Sequence, residues 1–226
     1  MLALMAGLFS GCAGSYQARS VDIKETGTIL VNPAILEKGG DGQALYRYVN
    51  PNAVFTQYDK VIIDPVLIYK QATLDAGELE NYQALANNAY VFFSKELSQD
   101  YRVVTSPEPR TMRVQLVIVD ADSSKPVRNL LSTVMPIGIG ISLVRYAATG
   151  KQSGVGEITA EFKATDAFTG QLLAAGLDRR VGGKDPKGII DTWANADDAL
   201  QYWAKLVRFR ACTLRGEGPA CDRMKP

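Results

Sequence analysis

The chain of 226 residues holds three cysteines and no histidine, and that combination decides most of the chemistry open to it. Without imidazole there is no Ser-His or Cys-His nucleophile pair, no His metal ligand and no general base of the commonest kind. Gly138-Ile139-Gly140-Ile141-Ser142 lacks the Gly-x-Ser-x-Gly order of a nucleophile elbow. Gly150-Lys151 lacks the spacing of a phosphate-cradling loop. Both read as glycine-rich turns in an apolar hairpin. Asp120, Asp122 and Asp166 offer oxygens of the kind calcium takes, but no EF-hand spacing accompanies them. They read as strand-end and turn aspartates bonded to nearby backbone. Glu157 and Glu161 would share one strand face with no companion nucleophile, and read as surface charge. The sequence thus assigns no catalytic residue, no metal ligand and no cofactor, and the expectation is a protein that is not an enzyme.

The cysteines carry the more specific chemistry. Residues 1–11, MLALMAGLFSG, bear no charge and have the apolar character of a secretory signal. The run is too short to span a bilayer, which needs about 20 apolar residues. It ends in Phe9-Ser10-Gly11-Cys12, which resembles the bacterial lipobox. Small residues there let the chain enter a peptidase in extended form, and the Cys12 thiol takes a diacylglycerol. Phe9 stands where Leu is usual, and the usual Lys/Arg n-region is missing. More than one acyl chain (palmitate class), at about 0.8 kcal/mol per buried methylene, would anchor the protein stably. Ala13 and Gly14 follow the cysteine, not the Asp that retains such proteins at the inner membrane. The expected address is the cell outer membrane, lipid-anchored, with the body on the periplasmic face. Cys212 and Cys221 remain, separated by a Gly- and Pro-bearing stretch. An oxidising compartment favours a disulfide there over two free thiols or a metal pair. With no His and no second Cys pair, zinc is disfavoured.

The elements that must position these residues follow from periodicity. Residues 13–27 are polar and unpatterned, which reads as a tether. Residues 28–60 carry several Gly and Pro with Tyr46, Tyr48, Phe55 and Tyr58 between them. They read as a long irregular segment lying against a core. Residues 60–70 predict a strand in which Pro65 marks an edge or a bulge. Residues 76–99 predict a helix, with Asp75 and Glu78 as a capping box. Strands are expected over 101–105 and over 111–121, where Met112, Val114, Leu116 and Ile118 share a face. Residues 153–166 and 171–181 predict a hairpin around Ala167-Phe-Thr-Gly170. Residues 196–213 predict the last helix, capped by Asn195, with Arg208, Arg210 and Arg215 toward its C-terminal end. The fold class is α+β, a mostly antiparallel mixed sheet with two long helices packed on one face. The expected organisation is a signal peptide over 1–11, a lipidated tether over 12–27 and one periplasmic domain over 28–226.

Two features bear on partners. Residues 134–149 are apolar and glycine-bearing. They fit a core element, or a hairpin whose Ile137, Ile139, Ile141 and Leu143 contact a partner or lipid. Residues 1–100 hold 7 basic and 11 acidic side chains, and residues 101–226 hold 18 and 13. The C-terminal arginines therefore either face an anionic lipid or glycan or form a solvated helix end. The total is nearly balanced at +1, which argues against nucleic acid.

Several segments together resemble a family of uncharacterised proteobacterial lipoproteins, a domain of unknown function. The resemblance covers residues 27–214. It rests on Tyr58-Asp-Lys-Val-Ile-Ile-Asp-Pro-Val66, then a long helix, then Val114-Gln-Leu-Val-Ile-Val-Asp-Ala121. It continues through Val155-Gly-Glu157 and Asp166-Ala-Phe-Thr-Gly170 to Trp203-Ala204. It implies an exported, lipid-anchored α+β domain and brings no catalytic site. The layout is also similar to the small domain at the N-terminus of TolB, an analogy of fold alone. The expected function is that of a non-catalytic outer-membrane lipoprotein that binds an envelope protein partner or supports an envelope assembly. The alternative is a periplasmic binder or carrier of a small apolar ligand or lipid. An envelope hydrolase is the third and weakest reading.

Overall fold

The computed structural model describes residues 15–18, 22–23, 28–69, 76–119, 135–136, 157–181 and 192–226. Among them ten strands form one sheet. They are β1 (Tyr16–Gln17), β2 (Glu37–Lys38), β3 (Tyr46–Val49), β4 (Lys60–Ile63), β5 (Leu67–Tyr69), β6 (Arg102–Val103), β7 (Thr111–Val119), β8 (Met135–Pro136), β9 (Glu157–Asp166) and β10 (Leu172–Val181). Two long helices are α1 (Ala76–Leu97) and α2 (Thr192–Leu214). Across the sheet the order is β2-β3-β10-β9-β7-β4-β6, with β1 beside β10, β5 beside β7 and β8 beside β5. Pairing is antiparallel except where β4 meets β6 and β7 and where β5 meets β7. The α+β class and the single helical face are as the sequence predicts.

The longest antiparallel ladder is β9 with β10, closed by a short turn. Asp166 builds that turn: its carboxylate accepts the N–H of Phe168 and of Thr169 at 2.9 and 2.8 Å. Gly170 follows at φ +73°, a backbone region that costs glycine little. Burial pushes the Asp166 carboxyl up, but these N–H groups and the Tyr58 hydroxyl outweigh it, and the net direction is down. Tyr58, which donates to Asp166 at 2.9 Å, is itself pushed up to about 12, first by burial and then by that bond.

Strand β7 shows why alternation reads so well here. Met112, Val114, Leu116 and Ile118 enter the core under the helices, while Val117 and Val119 face the other side with Ile29, Leu30, Leu67 and Tyr69. The predicted strand over 60–70 is two strands. Ile63 pairs with Val114 and Leu67 with Val117. Residues 64–66 on one side thus face only residues 115–116 on the other, so Pro65 sits in a bulge and not at an edge.

Each helix presents an apolar stripe to the sheet. Tyr82, Leu85, Ala86, Ala89, Phe93 and Leu97 of α1 are buried, as are Ala196, Ala199, Leu200, Trp203 and Ala204 of α2. The helices run parallel. The Asn88 amide, midway along α1, donates to Asp197 in the first half of α2 at 3.1 Å, and Arg208 further along α2 binds Glu96 at 3.4 Å and Asp100 at 2.7 Å at the end of α1. Asn195 is not the cap: α2 begins at Thr192. The apolar stripe begins only at Ala196, whereas backbone hydrogen bonding extends a turn further and needs no apolar face. Asp75 lies outside the described residues, as does the Glu78 side chain. Two further differences concern the expected irregular regions. Residues 28–60 contain β2 and β3, and Tyr16–Gln17, inside the expected tether, pair with the end of β10. Cys212, in the last turn of α2, is joined by a disulfide to Cys221. It ties the 3-10 turn Gly218–Met224 back onto the helix.

Candidate functional site

A strand run of small side chains lies under α2. Ala164 of β9 faces Ala174 of β10, and Phe162 faces Gly176. Opposite them α2 presents Trp203, Leu206, Val207 and Ala211. Short side chains on the sheet cannot fill the space beneath large ones on the helix, and a cavity of about 300 Å³ remains. Phe55, Met112 and Val114 add to its apolar wall. Its volume lies at the low end of the roughly 300–1,000 Å³ typical of small-molecule sites. The Trp203 indole closes one end, edge-on to Phe162 at 5.7 Å, and Phe162 stacks on Phe93 at 5.9 Å.

Trp203 is fixed by a buried carboxylate. Its Nε1–H donates to Asp178 at 2.6 Å, and the other Asp178 oxygen accepts from Gln17 at 2.5 Å and from the Leu45 N–H at 3.1 Å. Asp178 is fully buried. Burial pushes its carboxyl up, against the pull of these donors and of the Arg180 charge. Gln17 also donates to the Gln43 carbonyl at 2.8 Å, and Gln43 lines the cavity. One carboxylate therefore holds β1, the 43–45 loop and α2 in register around the site.

The rim is cationic. Arg47 lies opposite Gly176, on the same sheet face as Phe162 and Val49, and Arg210 projects from α2 one turn beyond Leu206 and Val207. Arg210 donates through Nη2 to the Gly42 carbonyl, and its guanidinium lies 5.1 Å from the Phe209 ring. The Nε atoms of Arg47 and Arg210 are shut off from solvent with no hydrogen-bond partner. Burial, and then the charge of Arg47, push Arg210 below the usual guanidinium range.

The residues singled out from sequence are dispersed. Cys12, the segment Ile137, Ile139, Ile141 and Leu143, and Asp120 and Asp122 lie outside the described residues. Glu161 is no surface charge. It is buried on the sheet face away from the helices, and accepts the N–H of Ile29 at 2.8 Å and of Leu30 at 2.9 Å. Burial pushes its carboxyl up against those two bonds. The C-terminal arginines divide: Arg208 clamps α1, Arg215 pairs with Glu217 at 2.5 Å over the Tyr101 ring, and Arg210 faces the cavity. Tyr48 and Phe55 do line the cavity. What escaped the sequence reading is the set Ala164, Ala174 and Gly176, whose signal is small residues in register on two strands.

Comparison with known proteins gives a family and distant folds. No curated protein matches the chain. Among solved structures, a PelC dodecamer from Paraburkholderia phytofirmans aligns at 12% identity and a TM-score of 0.35, over 75% of this chain and 93% of that one. A DUF4136 family protein from Bacteroides thetaiotaomicron aligns at 12% identity and a TM-score of 0.37, over 72% of this chain and 95% of that one. The family model described as "Protein of unknown function (DUF3313)" matches residues 16–207, which takes in both helices' packing faces and most of the cavity wall. The chain belongs to the DUF3313 family.

Proposed function

We propose that this chain is a non-catalytic binding protein, lipid-anchored through Cys12 on the periplasmic face of the outer membrane, whose helix–sheet cavity takes a small apolar ligand. One observation carries the ligand reading: a cavity of about 300 Å³ with a largely apolar wall, under a Trp203 whose position is set by Asp178. The absence of histidine from the sequence supports a binding role over catalysis. The lipobox-like Phe9-Ser10-Gly11-Cys12 supports the anchor.

The test is native mass spectrometry of protein purified from its own membranes. A bound apolar molecule in the wild type, lost in Ala174→Leu, is the expected result. An empty wild type that also shows no thermal shift with 1-dodecanol overturns the ligand reading. The anchor is tested separately by intact mass: cleavage before Cys12 plus acyl chains, absent from Cys12→Ala, is expected.

A protein partner is the second reading, and Phe168 favours it. The side chain is 71% exposed at the tip of the β9–β10 turn, where a partner would bury a full aromatic ring. Loss of a defined cross-linked species in Phe168→Ser would support it, and an unchanged species would remove Phe168 from the contact.

A further inference from the structure

Two arginines beside one apolar cavity need an explanation that the cavity alone does not give. A purely apolar ligand has no use for Arg47 and Arg210. Their like charges repel, and both guanidiniums have an Nε that is cut off from water with no hydrogen-bond partner. A buried N–H left unpaired is costly, and a charged one more so. The groups the structure sets against Arg210 include the Gly42 carbonyl, the Phe209 ring and Tyr202. Burial, and then the charge of Arg47, lower the proton affinity of Arg210, so the two guanidiniums lie close enough to oppose each other's charge. An anion seated between the two guanidiniums offsets their mutual repulsion, and planar guanidinium donors match carboxylate and phosphate oxygens.

Resting on the ligand reading above, we propose that the cavity binds an amphiphile with a single acyl chain and an anionic head, the chain lying under α2 over Ala164 and Ala174 and the head between Arg47 and Arg210. The volume, at the bottom of the small-molecule range, suits one chain and not two. Small residues below and Leu206 and Val207 above make a slot for the chain, and the cationic pair sets its direction. The site is thus polarised along its length, apolar toward Met112 and charged toward Gly42.

The test compares three probes on the full chain by calorimetry: dodecanoate, dodecyl phosphate and 1-dodecanol. Dodecanoate or dodecyl phosphate is expected to bind at least about tenfold more tightly than the alcohol, from charge-assisted bonds to two arginines. The preference between the two anions separates a carboxylate head from a phosphate head. Arg47→Gln and Arg210→Gln, checked for unchanged melting, are expected to reduce anion binding about tenfold each and to leave the alcohol unaffected. Equal affinity for all three probes overturns the anionic head and leaves the apolar cavity standing. Binding of none of them overturns both readings. Anion binding that survives Ala174→Leu undiminished places the ligand elsewhere and overturns the assignment. The probe series needs no variant, so a poorly folding arginine substitution does not block the result.

Discussion

The helical layer has two halves, and they are packed to different standards. Under α1, Val61, Ile63, Leu116 and Ile118 join Leu85, Phe93 and Leu97 in one cluster of large buried side chains. Under α2 the strands offer the small residues Ala164, Ala174 and Gly176, and a cavity is left. The backbone plan is the same in both: a long helix packed on one face of the sheet. Side-chain volume alone distinguishes scaffold from site. The halves also differ in what orders them. The α1 half is held by close packing, and the α2 half leans on directed bonds, above all Trp203 to Asp178. A protein that must keep a hole open cannot rely on filling it.

This contrast can be broken from either side. The largest effect is expected in the filled half. Phe93→Ala removes a ring stacked on Phe162 at a site with almost no exposure, and should lower unfolding free energy by about 3–5 kcal/mol in a denaturant titration. In the open half the weak point is polar. Asp178→Ala leaves the Trp203 indole and the Leu45 N–H buried without an acceptor, and should cost roughly 1–3 kcal/mol. It should also shift the tryptophan emission, because Trp203 loses the acceptor of its indole N–H.

A paired substitution tests volume directly. Ala89→Leu in α1, where nothing is exposed, should destabilise by about 1–3 kcal/mol through overpacking. Ala174→Leu beneath the cavity should cost less than about 1 kcal/mol. Equal penalties at the two positions would mean that the α2 half is as full as the α1 half. The smallest effect concerns pH. Asp178 and Glu161 both have carboxyls pushed upward, first by burial. A raised folded pKa means that stability from these groups is fully present below the ordinary carboxylate range and is lost as pH rises through the raised values. From about pH 4 upward the wild type should therefore lose stability that Glu161→Gln retains, so the variant's pH profile is the flatter.

How much of this was legible depended on what kind of signal each part leaves. The face Met112, Val114, Leu116 and Ile118 is a period-two pattern written in one stretch of chain, and so is the turn at Asp166. Strands β1 and β3 are short, mixed in polarity and stabilised by partners more than a hundred residues away, so no local window announces them. Glu161 looks like a solvated charge because the donors that satisfy it are backbone N–H groups of Ile29 and Leu30, and backbone has no sequence signature. The cavity was the least legible, because it consists of missing volume, shared between Ala164 on one strand and Ala174 on the next. The arginines were visible as residues, but only the fold separates Arg210 at the cavity from Arg208 in a clamp.

The bond from Gln17 to Asp178 has a mechanical meaning. Gln17 is five positions from Cys12 along the chain. Tension on the N-terminal end arrives first at the two-residue strand β1, and the Gln17 amide passes it to the same carboxylate that holds Trp203. The first part of the fold to yield under such a pull is therefore also the latch on the cavity wall. With the proposed anchor at Cys12, attachment to the membrane and closure of the site would be joined through one side chain.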